Sequence, residues 1–279
     1  MSISSYVCPD CKAPLQQYFC ESCRFEFPRV DGVPRLMSRD PRFTRTESIA
    51  GAYDSIYTVQ TRVWENQGRT PEFIRFFSGF LDRFRSTRSL EIGCGEGFLL
   101  ASRHNGEKFA VDLSIEAIRQ ARTRAEADFS LALAERLPFP ADSFDLVTSV
   151  GVMEHFLDTG EALREIRRIL KPGGHYVSLT HVDLTVRERL AWMITEFVFP
   201  RPRPIRLVRW LTNRLKSRVL RVRRKFPEQP IQNRYTTRGG EESLARSGFT
   251  VNTVVHRRKN PDLPLVGPSV VIYVAEKRC

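Results

Sequence analysis

The feature that most constrains the fold of this chain is a glycine-rich turn near its middle, Glu91-Ile-Gly93-Cys-Gly95-Glu-Gly97. A strand-like run precedes the turn, Ser89–Ile92, and a helical pattern follows from Gly97. Glycines at these positions let the backbone turn tightly and approach a ligand that a Cβ atom would push away. The segment therefore predicts a strand–turn–helix unit with a ligand site at the turn.

The composition of this turn indicates which ligand it holds. Its spacing is G-x-G-x-G, and Phe98 stands where the dinucleotide fingerprint G-x-G-x-x-G has its third glycine. The turn has no Lys or Arg for a phosphate group, and Glu91 and Glu96 make it acidic. These features favour a cationic ligand without phosphate, such as the sulfonium S-adenosylmethionine, over a pyrophosphate.

Asp112 completes the predicted ligand site. It lies 21 residues after Glu91, at the end of the second predicted strand. A carboxylate placed there can accept hydrogen bonds from both hydroxyls of a ribose. The alternatives are a tight turn without a ligand and, for Asp112, a charge partner of a helix N-terminus. The glycines, the carboxylate and the strand–turn–helix context together favour the ligand site.

Short strand-like runs alternate with helical patterns, which predicts a mostly parallel sheet covered by helices on both faces. The predicted strands are Ser89–Ile92, Lys108–Val111, Phe129–Leu133, Asp145–Val150, His175–Thr180, Thr250–His256 and Val270–Ala275. The predicted helices are Gly97–Arg103, Ile115 to about Glu126 with Ser114 as N-cap, Gly160–Leu170 and Glu241–Ser247. Lys171-Pro-Gly-Gly174 is expected to stop the third of these helices.

Five stretches of this sequence closely resemble the class I S-adenosylmethionine-dependent methyltransferases, and most of all the branch with the ubiquinone and menaquinone enzymes. The stretches are LEIGCGEGFLL, VDLS, AERLPFPADSFDLV, MEHF and LREIRRILKPGG. The resemblance covers roughly residues 50–183. It implies a Rossmann-like, doubly wound, mostly parallel seven-stranded sheet, methyltransferase activity and S-adenosyl-L-methionine as cofactor.

The resemblance also implies roles for individual residues. The methionine and ribose portions would lie among Glu91, Gly93, Gly95 and Gly97. The ribose diol would bind to Asp112, and the adenine would lie beside Leu113, Ala134 and Glu135, with Val150 on the floor of the site. Relatives often have Asp or Asn at the position of Leu133, so the contact to the adenine amine is expected to come from the backbone amide of Ala134.

His155 is the candidate catalytic residue. If the acceptor is a hydroxyl, a general base assists, typically by roughly 10²–10⁴-fold. His155 follows the fourth predicted strand, at the cofactor end of the sheet. A role in the cofactor pocket or in packing is the alternative, and His181, after the fifth strand, is a second candidate base. Tyr53 and Tyr57 precede the core and are candidates for a lid or for packing.

Two cysteine pairs near the N-terminus predict a metal site. Cys8-Pro-Asp-Cys11 and Cys20-Glu-Ser-Cys23 are separated by eight residues, and four thiolates satisfy tetrahedral Zn²⁺. A segment this short builds no self-sufficient core, so a structural metal would supply its folding energy. With the following FPRVDGVPRL the segment resembles a zinc ribbon that occurs alone or fused to bacterial methyltransferases. A redox dithiol and an unmetallated site are the alternatives.

The positive charge of the chain is local. The net charge is +12, and residues 201–225 hold eleven Lys or Arg and no Asp or Glu. Apolar residues at helical spacing and three prolines accompany them, which predicts a basic helical cap insertion. Contact with an anionic membrane surface, nucleic-acid binding and a merely solvated face are the alternatives.

Together these patterns predict four parts. They are a zinc-ribbon-like module (1–40), a cofactor-binding core (41–183), a basic helical cap (184–235) and a C-terminal part of the sheet (236–279). No run reaches the ~18–20 apolar residues of a membrane span, and the first residues do not form a secretory signal. A cytoplasmic enzyme, peripheral at the inner face of the membrane, is therefore expected.

The expected reaction is O- or C-methylation of a small, lipid-linked or glycan-type acceptor. An rRNA or tRNA methyltransferase is the second hypothesis, because a zinc module beside such a core also occurs in enzymes that modify ribosomal RNA. A non-catalytic scaffold protein that binds S-adenosylmethionine is the third. The complete set of glycines with Asp112 argues against the scaffold.

Overall fold

A computed structural model describes residues 6–59, 71–103, 106–187, 190, 230–256 and 270–278. The chain divides into two compact units. The first comprises residues 1–183 and 230–279, and the second comprises residues 184–229. The expected basic cap falls largely outside the described residues, so the fold below is that of the first unit.

The N-terminal cysteine segment folds into two minimal hairpins. Strand β1 (Phe19–Cys20) pairs antiparallel with β2 (Phe25–Glu26), and β3 (Arg29–Val30) pairs antiparallel with β4 (Val33–Pro34). Two-residue strands contribute few hydrogen bonds, so other interactions must hold the hairpins. A small buried cluster connects them, formed by Cys8, Leu15, Cys20, Phe27 and Leu36.

The main sheet has seven strands. In spatial order they are β10 (Thr250–His256), β11 (Val270–Glu276), β9 (Leu170–His181), β8 (Phe144–Val150), β5 (Arg88–Ile92), β6 (Glu107–Asp112) and β7 (Asp128–Leu131). Strands β7, β6, β5, β8 and β9 pair in parallel, and β11 is antiparallel to both β9 and β10. This order and direction confirm the predicted class I methyltransferase fold.

Both faces of the central strands are buried, as a parallel sheet requires. Adjacent residues of β8, Leu146 and Val147, belong to two different core clusters. Tyr176 and Val177 of β9 divide between the same two clusters. Successive side chains of a strand point to opposite faces, so continuous apolar runs in these strands fill two layers at once.

Helices cover the sheet. They are α1 (Thr46–Val59), α2 (Pro71–Leu81), α3 (Phe98–Ser102), α4 (Ile115–Arg122), α5 (Thr159–Ile169) and α6 (Thr237–Arg246). Three begin at side-chain caps, since Ser114, Asp158 and Thr236 accept hydrogen bonds from the amides of Ala117, Glu161 and Gly239. The predicted cap at Ser114 is confirmed.

Several predicted boundaries were wrong. Strand β9 begins at Leu170 and not at His175, because Leu170 already pairs with Phe144, ahead of a register shift after which His175 pairs with Leu146. Helix α6 begins at Thr237 and not at Glu241. Gly240 lies inside this helix, where a Cβ atom would come within 2.3 Å of the Tyr273 hydroxyl.

Other differences concern the end of helix α4, the bounds of strand β7 and two helices that precede the core. Helix α4 ends at Arg122 and not near Glu126, and β7 covers Asp128–Leu131 and not Phe129–Leu133. Helices α1 and α2 had no sequence prediction. Helix α2 places Phe73, Phe77 and Leu81 in the core cluster on one face of the sheet.

The N-terminal module packs against the open edge of the sheet at β7. The amide of Leu36 donates to the carbonyl of Leu131 over 2.9 Å, and the amide of Val7 donates to the carbonyl of Pro138 over 3.0 Å. Lys12 pairs with Glu165 of α5 at 2.7 Å. The module therefore covers an edge strand that otherwise exposes unpaired backbone groups.

Hydropathy adds one observation about the membrane. Among the residues that the structure describes, none of the helices combines the length and the apolar character needed to cross a bilayer.

The aromatic cluster around Phe139 gives a test of this packing. Phe139 is fully buried, and its ring centroid lies 5.5 Å from that of Tyr6 in the module and 5.0 Å from that of Phe144 in β8. We expect Phe139→Ala to lower the free energy of unfolding by about 3–5 kcal/mol, because it leaves a cavity. Chemical denaturation measures this loss. The control is Phe19→Ala, since Phe19 is exposed; an equal loss in both variants would contradict the packing described here.

Candidate functional site: a donor turn beside two histidines

Two glycines of the turn after β5 are required by close backbone approach. Gly93 has φ +65°, and a Cβ atom there would lie 2.4 Å from Cγ2 of Val152. Gly97 has φ +76°, and a Cβ atom there would lie 2.8 Å from the Cα atom of Ala121 in α4. Both conformations lie in the region that favours glycine. The turn therefore presents bare backbone at the carboxyl end of β5.

Asp112 fixes the position of this turn. Its Oδ2 accepts a hydrogen bond from the amide of Gly95, and its Oδ1 accepts one from the amide of Ser114, each over 2.9 Å. A carboxylate has about four lone-pair sites, so acceptor capacity remains for a ribose diol. Burial raises the pKa of Asp112, and these two amides act in the opposite direction.

The location of the turn agrees with the general rule for ligand sites in such sheets. Strand β5 lies between β6 and β8, and the connections from these central strands leave in opposite directions. Ligands of open α/β sheets bind outside the carboxyl ends of the strands at this switch point. Gly93, Gly95 and Asp112 all lie there.

Helix α1 is tied to the same end of the sheet. Ser114 Oγ donates to Asp54 Oδ1 over 2.6 Å, and the side-chain amide of Gln120 donates to the carbonyl of Tyr57 over 3.2 Å. Burial raises the pKa of Tyr53, and the carboxylates of Asp112 and Glu154 raise it further. Within the described part of the chain the Tyr53 hydroxyl is buried without a hydrogen-bond partner.

Of the residues expected near the adenine, Ala134 and Glu135 lie after β7, and Leu113 directly follows β6. Ala134 and Glu135 form a 3-10 turn with Arg136, and Leu113 is half-buried in the adjoining core cluster. Glu135 Oε1 accepts hydrogen bonds from the amides of Leu157 (2.6 Å) and Asp158 (3.2 Å). Its side chain therefore joins this turn to the start of α5, and burial raises its pKa to about 7.

The two remaining residues that are expected to contact the methyl-donor cofactor lie in the strands themselves. Glu91 is buried in β5, and Val150 is the last residue of β8. Cys94, inside the turn, is fully buried. The structure thus brings the nine predicted cofactor residues to the carboxyl ends of β5, β6, β7 and β8, and their contacts to the cofactor stay predictions.

His155 lies in a 3-10 turn just beyond β8. Its Nδ1 is 2.6 Å from the carbonyl oxygen of Ile231, and its ring packs edge-on against Tyr53 with centroids 6.4 Å apart. A carbonyl oxygen only accepts, so Nδ1 must carry the proton. In the neutral ring Nε2 is then unprotonated, which is the state a general base needs.

A second imidazole lies at the end of the neighbouring strand β9. His181 Nδ1 is 2.7 Å from Oε1 of Glu154, which is 5% exposed. The other oxygen of Glu154, Oε2, is buried and has no hydrogen-bond partner in the described ranges. Buried oxygens that lack a hydrogen-bond partner among the described residues, such as those of Glu154 and Tyr53, fit a site that receives polar groups of a ligand.

Sequence reasoning missed several residues of this neighbourhood. Ile231 bonds to His155 from 76 residues further along the chain, and Asn233 bonds to the neighbouring Phe156 from 77 residues further along. Nothing in their local sequence pattern marks them. Glu154 was also missed, although one signal could have found it, because this carboxylate directly precedes the candidate His155 in the sequence Met-Glu-His.

The four N-terminal cysteines converge on one point. Their Sγ atoms lie within 4.8 Å of one another, with Cys8 and Cys23 at 3.9 Å and Cys11 and Cys20 at 3.5 Å. Tetrahedral Zn²⁺ with Zn–S bonds of ~2.3 Å separates its sulfurs by about 3.8 Å. A disulfide needs about 2.05 Å. The sulfur positions therefore fit a tetrahedral metal ion.

Comparison with known proteins now identifies the central part of the chain. Residues 90–178 match a protein family described as a methyltransferase domain. The match includes the glycine turn, Asp112 and His155. Residues 90–178 therefore form a methyltransferase domain. It is of the class that uses S-adenosylmethionine, as the sequence resemblance indicated.

Individual relatives of this methyltransferase domain are similar at modest identity. YcgJ, an uncharacterized methyltransferase of Bacillus subtilis, is 36% identical over 34% of this chain and 40% of its own length. A ubiquinone biosynthesis O-methyltransferase of Agrobacterium fabrum is 28% identical over 74% of this chain and 77% of its own. The chain spans about half or less of the length of the first curated relatives it matches.

One solved structure extends the fold comparison. A chain of the Haloferax volcanii complex between the Trm112 methyltransferase activator and a methyltransferase superposes with a TM-score of 0.57. It is 17% identical and covers 83% of this chain and 98% of its own. This likeness shows the fold.

The cysteine cluster predicts a stoichiometric metal. We expect purified protein to contain about one zinc ion per chain, since four thiolates complete its coordination. Cys20→Ser should reduce the metal content and the melting temperature together. Cys94→Ser is the matched control, because Cys94 is also buried but lies outside the cluster. Elemental analysis of both variants measures the difference, and zinc-free but fully folded wild-type protein would overturn the assignment.

Glu135 predicts a specific pH dependence of stability. Its pKa rises in the folded chain from 4.5 to about 7, so the folded state holds the proton more tightly. The associated stability is present below pH ~4.5 and is lost as the pH rises towards 7. Glu135→Gln removes this titration and keeps an acceptor oxygen.

The measurement compares melting curves of Glu135→Gln and wild type between pH 4.5 and 8. We expect the variant to gain on the order of 3 kcal/mol relative to wild type across this range. The control is Glu126→Gln, since Glu126 is exposed. A difference that stays constant with pH would show that Glu135 does not titrate in this window.

Proposed function

We propose that this protein transfers the methyl group of S-adenosylmethionine to an oxygen or carbon atom of a small, lipid-like or glycan-type acceptor. The observation that carries the proposal is the joint geometry of the glycine turn and Asp112. The turn exposes a glycine backbone that Asp112 holds through the amide of Gly95, and the carboxylate has acceptor capacity left for a ribose. Both features suit an adenosyl-sulfonium cofactor.

When bound, the cofactor supplies a methyl group activated by the sulfonium. The chain's own residues hold it. The ribose hydroxyls would donate to Asp112, and the methionine portion would lie over the backbone of Gly93 and Gly95. The acidic residues of the turn suit the positive sulfonium, and this positioning is the larger part of what a protein contributes to methyl transfer.

For a hydroxyl acceptor, we assign His155 as the base. Its Nε2 would take the proton of the acceptor's O–H group. The bound cofactor would supply the methyl group to that oxygen and leave as S-adenosylhomocysteine. The imidazolium then keeps its Nδ1–H bond to the carbonyl of Ile231, so the ring need not turn during the step.

Two observations support a small acceptor with a polar group. Among the described residues, buried oxygens of Glu154 and Tyr53 have no hydrogen-bond partner, and the Agrobacterium relative is named as an O-methyltransferase. RNA methylation remains the second candidate because of the eleven basic residues in 201–225. These residues lie outside the described ranges, and peripheral contact with anionic lipid rests on the same segment.

The zinc ion proposed for the N-terminal module would have a structural role. Its four ligands would be Cys8, Cys11, Cys20 and Cys23, which leaves no open coordination position for chemistry. The module packs on β7 and on the segment that follows it, next to Ala134. The metal would thereby stabilise one wall of the donor site from outside.

Labelled methyl transfer tests the function. Protein and S-adenosylmethionine with a labelled methyl group are added to a cell extract, which is then separated into lipid, RNA, protein and small-molecule fractions. We expect label in the lipid or small-molecule fraction. Label in RNA would select the second candidate, and no label in any fraction would contradict the enzyme assignment.

Asp112→Ala is the variant that tests the cofactor site in this experiment. We expect it to abolish the labelling and to weaken S-adenosylhomocysteine binding by more than about tenfold in calorimetry, because the ribose loses its acceptor. Asp82→Ala serves as control, since Asp82 is exposed just after α2. Unchanged affinity in Asp112→Ala would reject the proposed donor site.

A further inference from the structure

Ile231 and Asn233, which are distant from His155 in sequence, bond to its imidazole ring and to the backbone on either side of it. The backbone amide of Asn233 donates to the carbonyl of Glu154 over 2.7 Å. The side-chain amide of the same residue donates to the carbonyl of Phe156, also over 2.7 Å. These are the two residues that flank His155 in the chain. The imidazole itself bonds to the carbonyl of Ile231.

This arrangement restrains the ring in two ways. The Asn233 bonds fix the backbone before and after His155, so the direction of its Cα–Cβ bond is set. The Ile231 carbonyl then selects the rotamer and the tautomer, because it accepts only from a protonated Nδ1. An imidazole held at one nitrogen by a hydrogen bond presents the other in a defined place.

The surrounding contacts show that the segment is anchored independently of His155. The amide of Asp183, just after β9, donates to the carbonyl of Tyr235 over 2.7 Å. The hydroxyl of Tyr235 bonds to that of Thr159 at the start of α5. Removing the Asn233 side chain therefore leaves the segment attached at its far end.

We propose that Asn233 is a positioning residue for His155: with the carbonyl of Ile231, it holds the imidazole in the Nδ1–H tautomer so that Nε2 faces the acceptor site as a proton acceptor. This proposal rests on the proposed function only for the use made of Nε2. The orientation and the tautomer are properties of the free protein.

Asn233 also acts, through Glu154, on the neighbouring imidazole of His181. The Asn233 amide holds the backbone of Glu154, whose carboxylate bonds to Nδ1 of His181. One residue thus contacts the turn that carries His155 and, through Glu154, bears on His181. The two rings nevertheless differ, because His181 bonds to a carboxylate, while the partner of His155 among the described residues is a backbone carbonyl. This difference makes His155 the more sensitive reporter.

The test is nitrogen-15 NMR of the histidine rings in the full chain with S-adenosylhomocysteine bound. The chain has five histidines, and the spectrum of His155→Gln assigns the signal of His155. At a pH where the ring is neutral, we expect wild-type His155 to show a protonated Nδ1 and an unprotonated Nε2. In Asn233→Ala the ring should populate both tautomers, with the Nε2–H form increased severalfold.

Two comparisons keep the result specific. Asn252→Ala removes an exposed asparagine that bonds to Glu276 in the far strand pair, and it should leave the His155 signals unchanged. If Asn233→Ala does not fold, Asn233→Asp provides the second variant, since it keeps the size and removes the side-chain donor to Phe156. Wild-type His155 with its proton on Nε2 would overturn the proposal, as would an unaltered tautomer in the folded Asn233 variant.

The failure of this proposal and that of the proposed function are distinguishable. Affinity for S-adenosylhomocysteine should agree within about twofold among wild type, Asn233→Ala and Asn252→Ala, because Asn233 does not touch the donor turn. If the wild type does not bind this product at all, the proposed function fails. The tautomer of His155 can still be measured in the ligand-free protein and decides the role of Asn233 separately.

Discussion

The arrangement of the site depends on one carboxylate that accepts hydrogen bonds from two backbone segments. Asp112 at the end of β6 bonds to the amide of Gly95 in the turn after β5 and to the amide of Ser114 at the start of α4. These bonds hold the turn in a left-handed path that only glycines follow without strain. The same carboxylate is the expected ribose ligand, so the group that shapes the site also serves it.

The acceptor side is built from parts of the chain that lie far apart in sequence. Tyr53 comes from α1, His155 from the turn after β8, His181 from the end of β9 and Asn233 from the segment before α6. Parallel strands bring their carboxyl ends to one edge, which explains why β8 and β9 deliver their histidines to the same place. Two buried oxygens lacking a partner in the described residues, on Glu154 and Tyr53, lie among them.

The sequence was most informative where a local pattern has one physical cause. The glycine turn and the Ser114 cap could be predicted because each depends on backbone geometry within a few residues, and Asp112 because it ends a recognisable strand. The start of β9 and the helix through Gly240 could not, because pairing with Phe144 and packing on Tyr273 decide them. The hydrogen bonds from Asn233 to the residues beside His155 span 77 residues or more, so no local sequence pattern predicts them.

The central claim is that the bare backbone of the turn and the Asp112 carboxylate bind one adenosyl-sulfonium molecule. A crystal structure of the protein with S-adenosylhomocysteine tests it most directly. We expect both ribose hydroxyls within hydrogen-bond distance of Asp112, the amino-acid portion against Gly93 and Gly95, and the adenine beside Leu113 and the Ala134 amide. A ligand bound elsewhere, or one whose ribose does not meet Asp112, would contradict the account.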